Sequence, residues 1–276
     1  MMKRLVWADS LKGWLMMLVV LGHAIQITIG KECYTNHLWN IIYSFHMPAF
    51  MAISGFLAYR PNSQWGGQDL ISVTYRRFRQ LIVPFIIWTL LLLLVGGKFS
   101  LEDIGTYLIY PDKGLWFLWV LFFITVFFNF GSWLAERIHI RQEYVIAVLC
   151  SLFAGSMVAF EIRVLGFQFL AYYFIIYSLG YFLHKYYDKV ITKNTFVILS
   201  LVLCWGVLAW FWNMHELPSW LQFIPLPASL MQYAYRFITA ALAIYILIAL
   251  APSLLNSTSK WNVPFCKLGE ISLSEF

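Results

Sequence analysis

Long apolar runs alternate with short polar breaks along the whole chain. Most runs are roughly 17–22 residues long, the length at which a helix rising 1.5 Å per residue crosses a bilayer core of about 30 Å. The pattern predicts an all-α fold, a polytopic transmembrane bundle of about eight to nine helices. The clearest predicted spans are Leu11–Ile29, Leu38–Tyr59, Leu81–Val95, Leu115–Leu134, Tyr144–Phe160, Phe167–His184, Phe196–Trp212 and Leu230–Ala251.

No Ser- or Pro-rich linker and no shift in composition divides these runs. We therefore predict that residues 1–276 form a single membrane-embedded domain. The segment from Pro264 to Leu273 has the composition of an entry into a further span, yet the chain stops at Phe276. Two alternatives remain open at this point: a truncated product, which we expect, or a peripheral tail.

Composition supports a membrane protein and argues against a nucleic-acid partner. Hydrophobic residues make up 61% of the 276 residues and charged residues only 12%, against roughly 25% charged in soluble domains. The net charge is +6. The basic residues, however, sit in short clusters between apolar runs, which is typical of topology signals in membrane proteins.

The distribution of basic residues predicts the orientation of the chain. Cations concentrate in alternate loops, and the positive-inside rule assigns those loops, together with the N-terminus, to the cytoplasm. The richer set contains Lys3, Arg4, Arg60, Arg76, Arg77, Arg79, Arg137, Arg141, Lys185, Lys189, Lys193, Lys260 and Lys267, and the poorer set contains Lys31, Lys98, Lys113 and Arg163.

The four cysteines lie far apart in the sequence, without a CxxC pair or Cys/His ligand spacing. Three of them fall in or beside apolar spans, where a free thiol behaves as a small hydrophobe. We expect neither a disulfide framework nor a metal site.

The first span carries two ionisable residues on one helical face. Lys12 and His23 are eleven residues apart, which is three turns and about 16 Å along the axis. An ionisable side chain inside a span is a functional candidate unless it has a structural partner. The alternatives are a helix N-cap for Asp9, a snorkelling side chain for Lys12 and a structural role for His23.

The second span carries His46 beside Pro48, and it runs in the opposite direction. His23 and His46 are therefore predicted to share a depth in the outer half of the membrane. Pro48 removes a backbone donor and is expected to kink the helix, which is tolerated where a helix lines a cavity. A histidine bonded into the kink is the structural alternative, and Ser54 suits either substrate binding or close helix packing.

Three further positions are candidates for binding. Arg76 and Arg77 can hold phosphates as planar forks, but positive-inside topology and anionic lipids explain them equally. Trp116 opens the fourth predicted span, where an interfacial belt is the default explanation. Arg236 lies about two turns inside the eighth span and needs a carboxylate, a carbonyl or a substrate anion as its partner.

Together these residues resemble the acyltransferase-3 family of membrane O-acyltransferases, especially its branch of fucose 4-O-acetylases and surface-polysaccharide acetylases. The first 120 residues carry most of the resemblance, and the remainder is similar mainly in hydropathy. The motifs are Asp9–Gly13 leading to Val19–His23, Phe45–Pro48 with Ser54–Phe56, Arg77 followed by Pro84, Leu115–Leu118, and Leu268–Leu273.

The resemblance implies a bundle of about ten helices in the bacterial inner membrane. It implies transfer of an acyl group, here acetyl from cytoplasmic acetyl-CoA, to a hydroxyl of a surface or lipid-linked glycan, without a metal. By resemblance, His23 is the essential histidine of the first helix and Lys12 replaces the usual arginine. Gln80 stands where many relatives carry a basic residue, which weakens a donor-binding role for that position.

On this hypothesis His23 acts as general base or forms an acyl intermediate, and His46 orients His23 or the acceptor. Lys12, Arg76 and Arg77 bind the donor, while Ser54, Trp116 and Arg236 bind the substrate. A transporter or flippase of a lipid-linked glycan or acyl donor is the leading alternative, although the sequence contains no visible inverted repeat. A purely structural membrane subunit is the second alternative.

Overall fold

The computed structural model describes residues 5–61, 66–97, 100–111, 115–159, 164–255 and 262–272, and all regular elements in these ranges are helical. The all-α prediction is confirmed. The helices are α1 (Val6–Ile29), α2 (His37–Ala58), α3 (Gly67–Arg77), α4 (Val83–Val95), α5 (Leu101–Ile109), α6 (Trp116–Arg137), α7 (Gln142–Ala159), α8 (Phe167–Lys185), α9 (Tyr187–Val190), α10 (Thr195–Trp210), α11 (Ala228–Leu254) and α12 (Asn262–Ser272).

Six helical segments of the described chain are long and apolar enough to cross a membrane. They are Val6–Thr35, His37–Ala58, Gly67–Val95, Trp116–Arg137, Val164–Lys185 and Ala228–Leu254. Two shorter apolar helices, Gln142–Ser156 and Thr195–Trp210, coincide with the fifth and seventh predicted spans. The polytopic helical architecture is confirmed, while the number of spans and the cytoplasmic N-terminus stay predictions.

The third span differs from its predicted limits, because the helical segment begins at Gly67 rather than at Leu81. The backbone N–H of Gly66 donates to the Asp69 carboxylate at 3.1 Å, which fixes the start of α3. A π-helix, Phe78–Ile82, joins α3 to α4. Hydropathy alone missed α3 because its polar residues interrupt the apolar run, and it missed α5 because that helix is short.

Some sequence predictions concern residues outside the described ranges. They are the ends of two predicted segments, Phe160 and Leu273, and the topology cations Lys3, Arg4, Lys98, Lys113, Arg163 and Lys260.

The helices group into two compact units. The first unit comprises residues 1–59 and 179–276. Within it, α2 is the most deeply buried helix and packs against α1, α10 and α11, while α12 packs along the N-terminal half of α1. A Cβ on Gly180 would collide with the Ala52 carbonyl, so the end of α8 approaches the α2 backbone closely.

The second unit comprises residues 60–178. Its central helix is α6, which packs against α3, the π-helix and α7. Phe128 of α6 lies among α8 rings, with its ring centroid 5.3 Å from that of Tyr177 and 6.3 Å from that of Phe174. Gly131 leaves room for the Leu149 and Ile146 side chains of α7.

Candidate active site

The N-terminal half of α1 contains a buried ion pair. The Lys12 ammonium lies 2.8 Å from the Asp9 carboxylate, and the Lys12 side chain is only 3% exposed. The N-cap residue of α1 is Leu5, so Asp9 lies within the first turns of the helix rather than at its cap. Lys12 is therefore held inside the first unit by a carboxylate one turn away, and it does not extend towards an interface.

Helix α12 covers this ion pair at very short range. A Cβ on Gly13 would collide with the Phe265 carbonyl, and a Cβ on Gly269 would collide with the Asp9 carbonyl. The Trp14 and Phe265 rings stack at 3.8 Å. Close backbone approach of two helices requires small residues at the crossing point, and these two glycines supply them.

The polar face of α1 becomes more exposed towards its C-terminal end. Lys12 is buried, whereas His23 is exposed. At that level α1 lies against α2, since a Cβ on Gly22 would come within 2.8 Å of the Tyr43 ring. Tyr43 also donates to the Gln26 side chain at 3.3 Å, one turn beyond His23. Lys12 and His23 thus occupy different environments on one helix.

His46 is buried and its ring is held by its own helix. Nδ1 lies 2.7 Å from the Ile42 carbonyl oxygen. A carbonyl oxygen only accepts, so Nδ1 carries the proton and Nε2 of the neutral ring is an acceptor. The ring meets the Tyr43 ring edge-on at 4.6 Å and lies within electrostatic range of His23. The shared depth of the two histidines in the membrane stays a prediction.

Two observations favour the structural alternatives for α2. The hydrogen bond from His46 to Ile42 ties the ring to its own helix. Ser54 donates to the Phe50 carbonyl at 2.9 Å in a fully buried position, which occupies its hydroxyl proton. Pro48 lies inside α2, which remains helical from His37 to Ala58.

Arg236 of α11 is half-buried, and its guanidinium lies 5.7 Å from the centre of the Trp212 ring. This cation–π geometry places a positive charge beside the aromatic residues at the α1–α2 turn. Tyr235, the residue before Arg236, donates to the Leu208 carbonyl at 2.6 Å and anchors α11 to α10.

The two candidate arginines of the second unit have different environments. Arg76 is exposed, whereas Arg77 is buried and donates to the Gln80 side chain at 3.3 Å. They lie where α3 passes into the π-helix, ahead of Pro84. Pro84 lies in the first turn of α4 and lacks the N–H that would bond the preceding turn. Short π-helical segments are frequent at functional sites.

Trp116, at the start of α6, stacks on two rings of α8. Its centroid is 4.7 Å from that of Phe169 and 5.3 Å from that of Tyr173. These contacts anchor α6 to α8 within the second unit. A stacking role towards a ligand therefore competes with existing contacts to protein rings.

The candidates thus fall into two groups. Lys12, His23, His46, Ser54 and Arg236 belong to the first unit, and Arg76, Arg77 and Trp116 belong to the second. Within the first unit, His23 lies within electrostatic range of His46. Lys12 lies near the opposite end of α1, about 16 Å from His23 along the axis.

His184 is a residue to which the sequence assigned no role. Its Nδ1 donates to the Phe56 carbonyl at 2.6 Å, and its ring stacks on that of Phe56 at 4.0 Å. Tyr59 meets the same histidine at 5.1 Å. The sequence shows this histidine in the last turn of an aromatic-rich span. Because it lies beside Lys185, membrane topology was a sufficient explanation for the polar end of that span.

All four cysteines are free thiols. Within the part of the chain that the structure describes, no three His, Cys, Asp or Glu side chains lie close enough together to hold a metal ion.

Comparison with known proteins adds three findings. A family profile described as an acyltransferase domain, Acyl_transf_3, matches residues 5–274. The chain is 34% identical over 167 residues to nodulation protein NolL of Sinorhizobium fredii, and 33% identical over 133 residues to nodulation protein NolL of Mesorhizobium japonicum. No solved structure matches.

The alignments cover 51% and 41% of this chain. The chain spans 41% of the length of the first relative and 32% of the second.

Proposed function

The chain belongs to the acyltransferase-3 family, and we propose that it transfers an acetyl group from acetyl-CoA to a sugar hydroxyl of a surface or lipid-linked glycan. The observation that carries the proposal is the histidine pair of the first unit. His23 is exposed and lies within electrostatic range of the buried His46. In the neutral His46 ring, Nδ1 donates a hydrogen bond and Nε2 is an acceptor. The family profile spans both units, which supports a single acyltransferase domain over residues 1–276.

In the proposed reaction His23 is the general base. The acceptor hydroxyl attacks the thioester carbonyl while a nitrogen of His23 removes its proton. The tetrahedral intermediate then expels coenzyme A as the carbon–sulfur bond breaks, and the imidazolium returns the proton to the thiolate. The products are an O-acetyl ester and free coenzyme A. General-base catalysis of this kind is worth about 10²–10⁴-fold.

An acyl-histidine intermediate is a variant of the same proposal. In that variant a nitrogen of His23 attacks the thioester first, coenzyme A leaves, and the sugar hydroxyl then takes the acetyl group from the ring. This order suits a donor and an acceptor that arrive from opposite sides of the membrane. His46 is a positioning residue in both versions. When its ring is neutral, its buried Nε2 can only accept a hydrogen bond, so it can orient His23 or the acceptor but supplies no proton.

Arg76 and Arg77 of the second unit are proposed to bind donor phosphates, and Lys12 of the first unit is a separate candidate for donor binding. Exposure of Arg76 supports direct contact, and guanidinium groups bind phosphates through paired N–H bonds. Lys12 is neutralised by Asp9, so its contribution requires that a donor phosphate compete with a carboxylate.

Ser54 and Arg236 of the first unit are proposed substrate contacts, and Trp116 of the second unit is a separate candidate. Arg236 has the strongest support, because it is half-buried and lies beside aromatic rings. We place the protein in the bacterial inner membrane with its N-terminus in the cytoplasm. The positive-inside distribution of the loops supports this orientation.

The experiment uses the full chain in lipid nanodiscs with acetyl-CoA and a panel of methyl glycosides. Free coenzyme A is measured with a thiol reagent, and acetylated glycoside by mass spectrometry. His23→Ala should abolish both products while leaving membrane insertion intact. His139→Ala changes an exposed loop histidine of the second unit and serves as the matched control. A transporter or flippase would release no coenzyme A in this assay. Normal acetyl transfer by the His23→Ala variant would contradict the catalytic role of His23.

A further inference from the structure

A buried aromatic cluster lies at the α1–α2 turn of the first unit. It contains Cys33, Trp39, Trp212 and Tyr235, with Tyr34 packed against it, and we name it the Trp212 cluster. We propose that the Trp212 cluster binds a sugar ring of the acceptor through the Trp212 indole N–H and the Asn40 amide oxygen. The inference rests on the proposed function for the identity of the ligand, and on the structure for the site.

Three buried polar atoms at this cluster lack a hydrogen-bond partner among the described residues: Nε1 of Trp39, Nε1 of Trp212 and Oδ1 of Asn40. Trp212 is 3% exposed and Asn40 is 4% exposed. Buried polar groups in folded proteins are nearly always hydrogen-bonded, to the protein, to water or to a ligand. The two indole nitrogens donate and the amide oxygen accepts, and a sugar hydroxyl does both.

The orientation of the Asn40 amide follows from its other bond. Its Nδ2 donates to the Tyr34 carbonyl at 2.9 Å, and Asn213 donates to the same oxygen at 3.2 Å. An amide nitrogen can bond a carbonyl only as a donor, so the atom of Asn40 left over is the acceptor oxygen. Asn213 directly follows Trp212 in the chain, so the Asn40 amide and the backbone next to Trp212 lie near the same Tyr34 carbonyl.

The surroundings suit a pyranose, which has apolar C–H faces and a polar rim. Aromatic walls with a few fixed polar groups are typical of small-molecule sites. Trp39 stacks on Tyr43 at 3.8 Å, and Arg236 covers the Trp212 ring at 5.7 Å. At the rim, Trp220 is 44% exposed.

An interfacial aromatic belt does not explain this cluster. Belt residues face the lipid headgroups with their rings. Trp39 and Trp212 are instead enclosed by protein, and the indole N–H of Trp212 has no access to a headgroup through its own exposed surface.

The cluster is also connected to the histidine pair. Tyr43 stacks on Trp39 on one side and meets the His46 ring at 4.6 Å on the other. Seven residues of α2 separate Trp39 from His46, which is two turns or about 10 Å. A disaccharide-sized acceptor bound at the cluster therefore extends to the level of His46 and His23.

The test is a binding measurement without acyl donor. The full chain in nanodiscs is titrated with methyl α-L-fucopyranoside and methyl α-D-glucopyranoside, and binding is followed by saturation-transfer NMR. Trp212→Phe removes the indole N–H and keeps an aromatic ring, so it should weaken binding about three- to tenfold, as expected for one hydrogen bond. Trp220→Ala, at the exposed rim, should also weaken binding and is a second variant if Trp212→Phe does not fold.

The matched control is Trp119→Phe in the second unit. Its indole N–H already donates to the Leu165 carbonyl at 3.1 Å, so the same chemical change should leave sugar binding unaltered. Any of three results overturns the inference. Binding is unaltered in both Trp212→Phe and Trp220→Ala, or Trp119→Phe loses binding to the same extent as Trp212→Phe, or the wild type binds neither glycoside.

His23→Ala separates this inference from the proposed function. It should bind both glycosides as tightly as the wild type while transferring nothing. Sugar binding that depends on Trp212, in a protein that releases no coenzyme A from acetyl-CoA, would reject the proposed reaction and leave the binding site standing.

Discussion

The Lys12 ammonium lies 2.8 Å from the Asp9 carboxylate, and both side chains are buried beneath α12. A lysine at the end of a predicted span is usually interpreted as a topology signal or an anion-binding group. Here a carboxylate of its own helix lies within ion-pair distance. The pair therefore has a structural role that must be separated experimentally from any role in donor binding.

Variants of Lys12 and Asp9 make this separation. Lys12→Ala leaves the Asp9 carboxylate without its ammonium partner, and removing one member of a buried ion pair costs about 3–5 kcal/mol. We expect a lower melting temperature and a raised KM for acetyl-CoA. Lys12→Arg should keep activity. In the double variant Asp9→Asn with Lys12→Ala, thermal stability should recover while the KM for acetyl-CoA stays raised.

Recovery of both quantities in the double variant would assign Lys12 to stability alone. Melting is measured in nanodiscs, and KM from the rate of coenzyme A release.

The two nitrogens of His46 can be tested one at a time. His46→Asn keeps an amide N–H near the position of Nδ1, which can still donate to the Ile42 carbonyl, but it lacks an equivalent of Nε2. We expect near-normal thermal stability and a kcat lowered by about 10²-fold, the usual worth of an acid–base contact. His46→Gln, which places its amide near Nε2, should lose stability instead. Full activity in a stable His46→Asn variant would make His46 a structural residue.

The thiol of Cys266 reports on the α1–α12 contact. Burial raises the pKa of Cys266 above its ordinary value, and the neighbouring Glu270 carboxylate raises this pKa further. The thiolate is the reactive form, so maleimide labelling should be slow at pH 7 and should accelerate as the pH approaches the raised pKa. Glu270→Gln removes one cause of the shift, which lowers the pKa and should speed labelling at a given pH.

Glu216→Gln, at an exposed loop of the first unit, is the control for that substitution and should leave the labelling rate unchanged. The background for these measurements replaces Cys33, Cys150 and Cys204 by alanine. Labelling of Cys266 that is fast at pH 7 and indifferent to Glu270 would contradict the packing of α12 against α1.

The sequence predicted some helices almost to their ends and missed others. The apolar runs predicted α2, α6 and α11 nearly to their ends, because span length and hydropathy depend on local composition alone. The common depth of His23 and His46 is predicted from two antiparallel helices and a fixed rise per residue, and it stays a prediction. Helix α3 was missed, because a charged helix leading into a span has no distinct hydropathy signal.

The side-chain contacts of the candidate residues, by contrast, were decided by the tertiary structure. Lys12 and His23 share a face of α1, yet one is buried by α12 and the other is exposed. Arg76 and Arg77 are adjacent in sequence, yet only Arg77 is buried. The ring of Trp116 is already stacked on Phe169 and Tyr173. Nothing in the spacing of these residues encodes which neighbours surround them.

The sequence by itself thus determined the family, the helical membrane architecture and the candidate histidine of α1. These depend on residue order and on the bilayer as solvent. Only the tertiary structure revealed the Asp9–Lys12 pair, the proton assignment of His46 and the unsatisfied atoms of Trp212 and Asn40. The burial of the Asp9–Lys12 pair depends on the approach of α12 to α1, two helices far apart in the chain that Gly13 and Gly269 allow to pack closely. The proton assignment of His46 depends on a side-chain conformation that residue order does not specify.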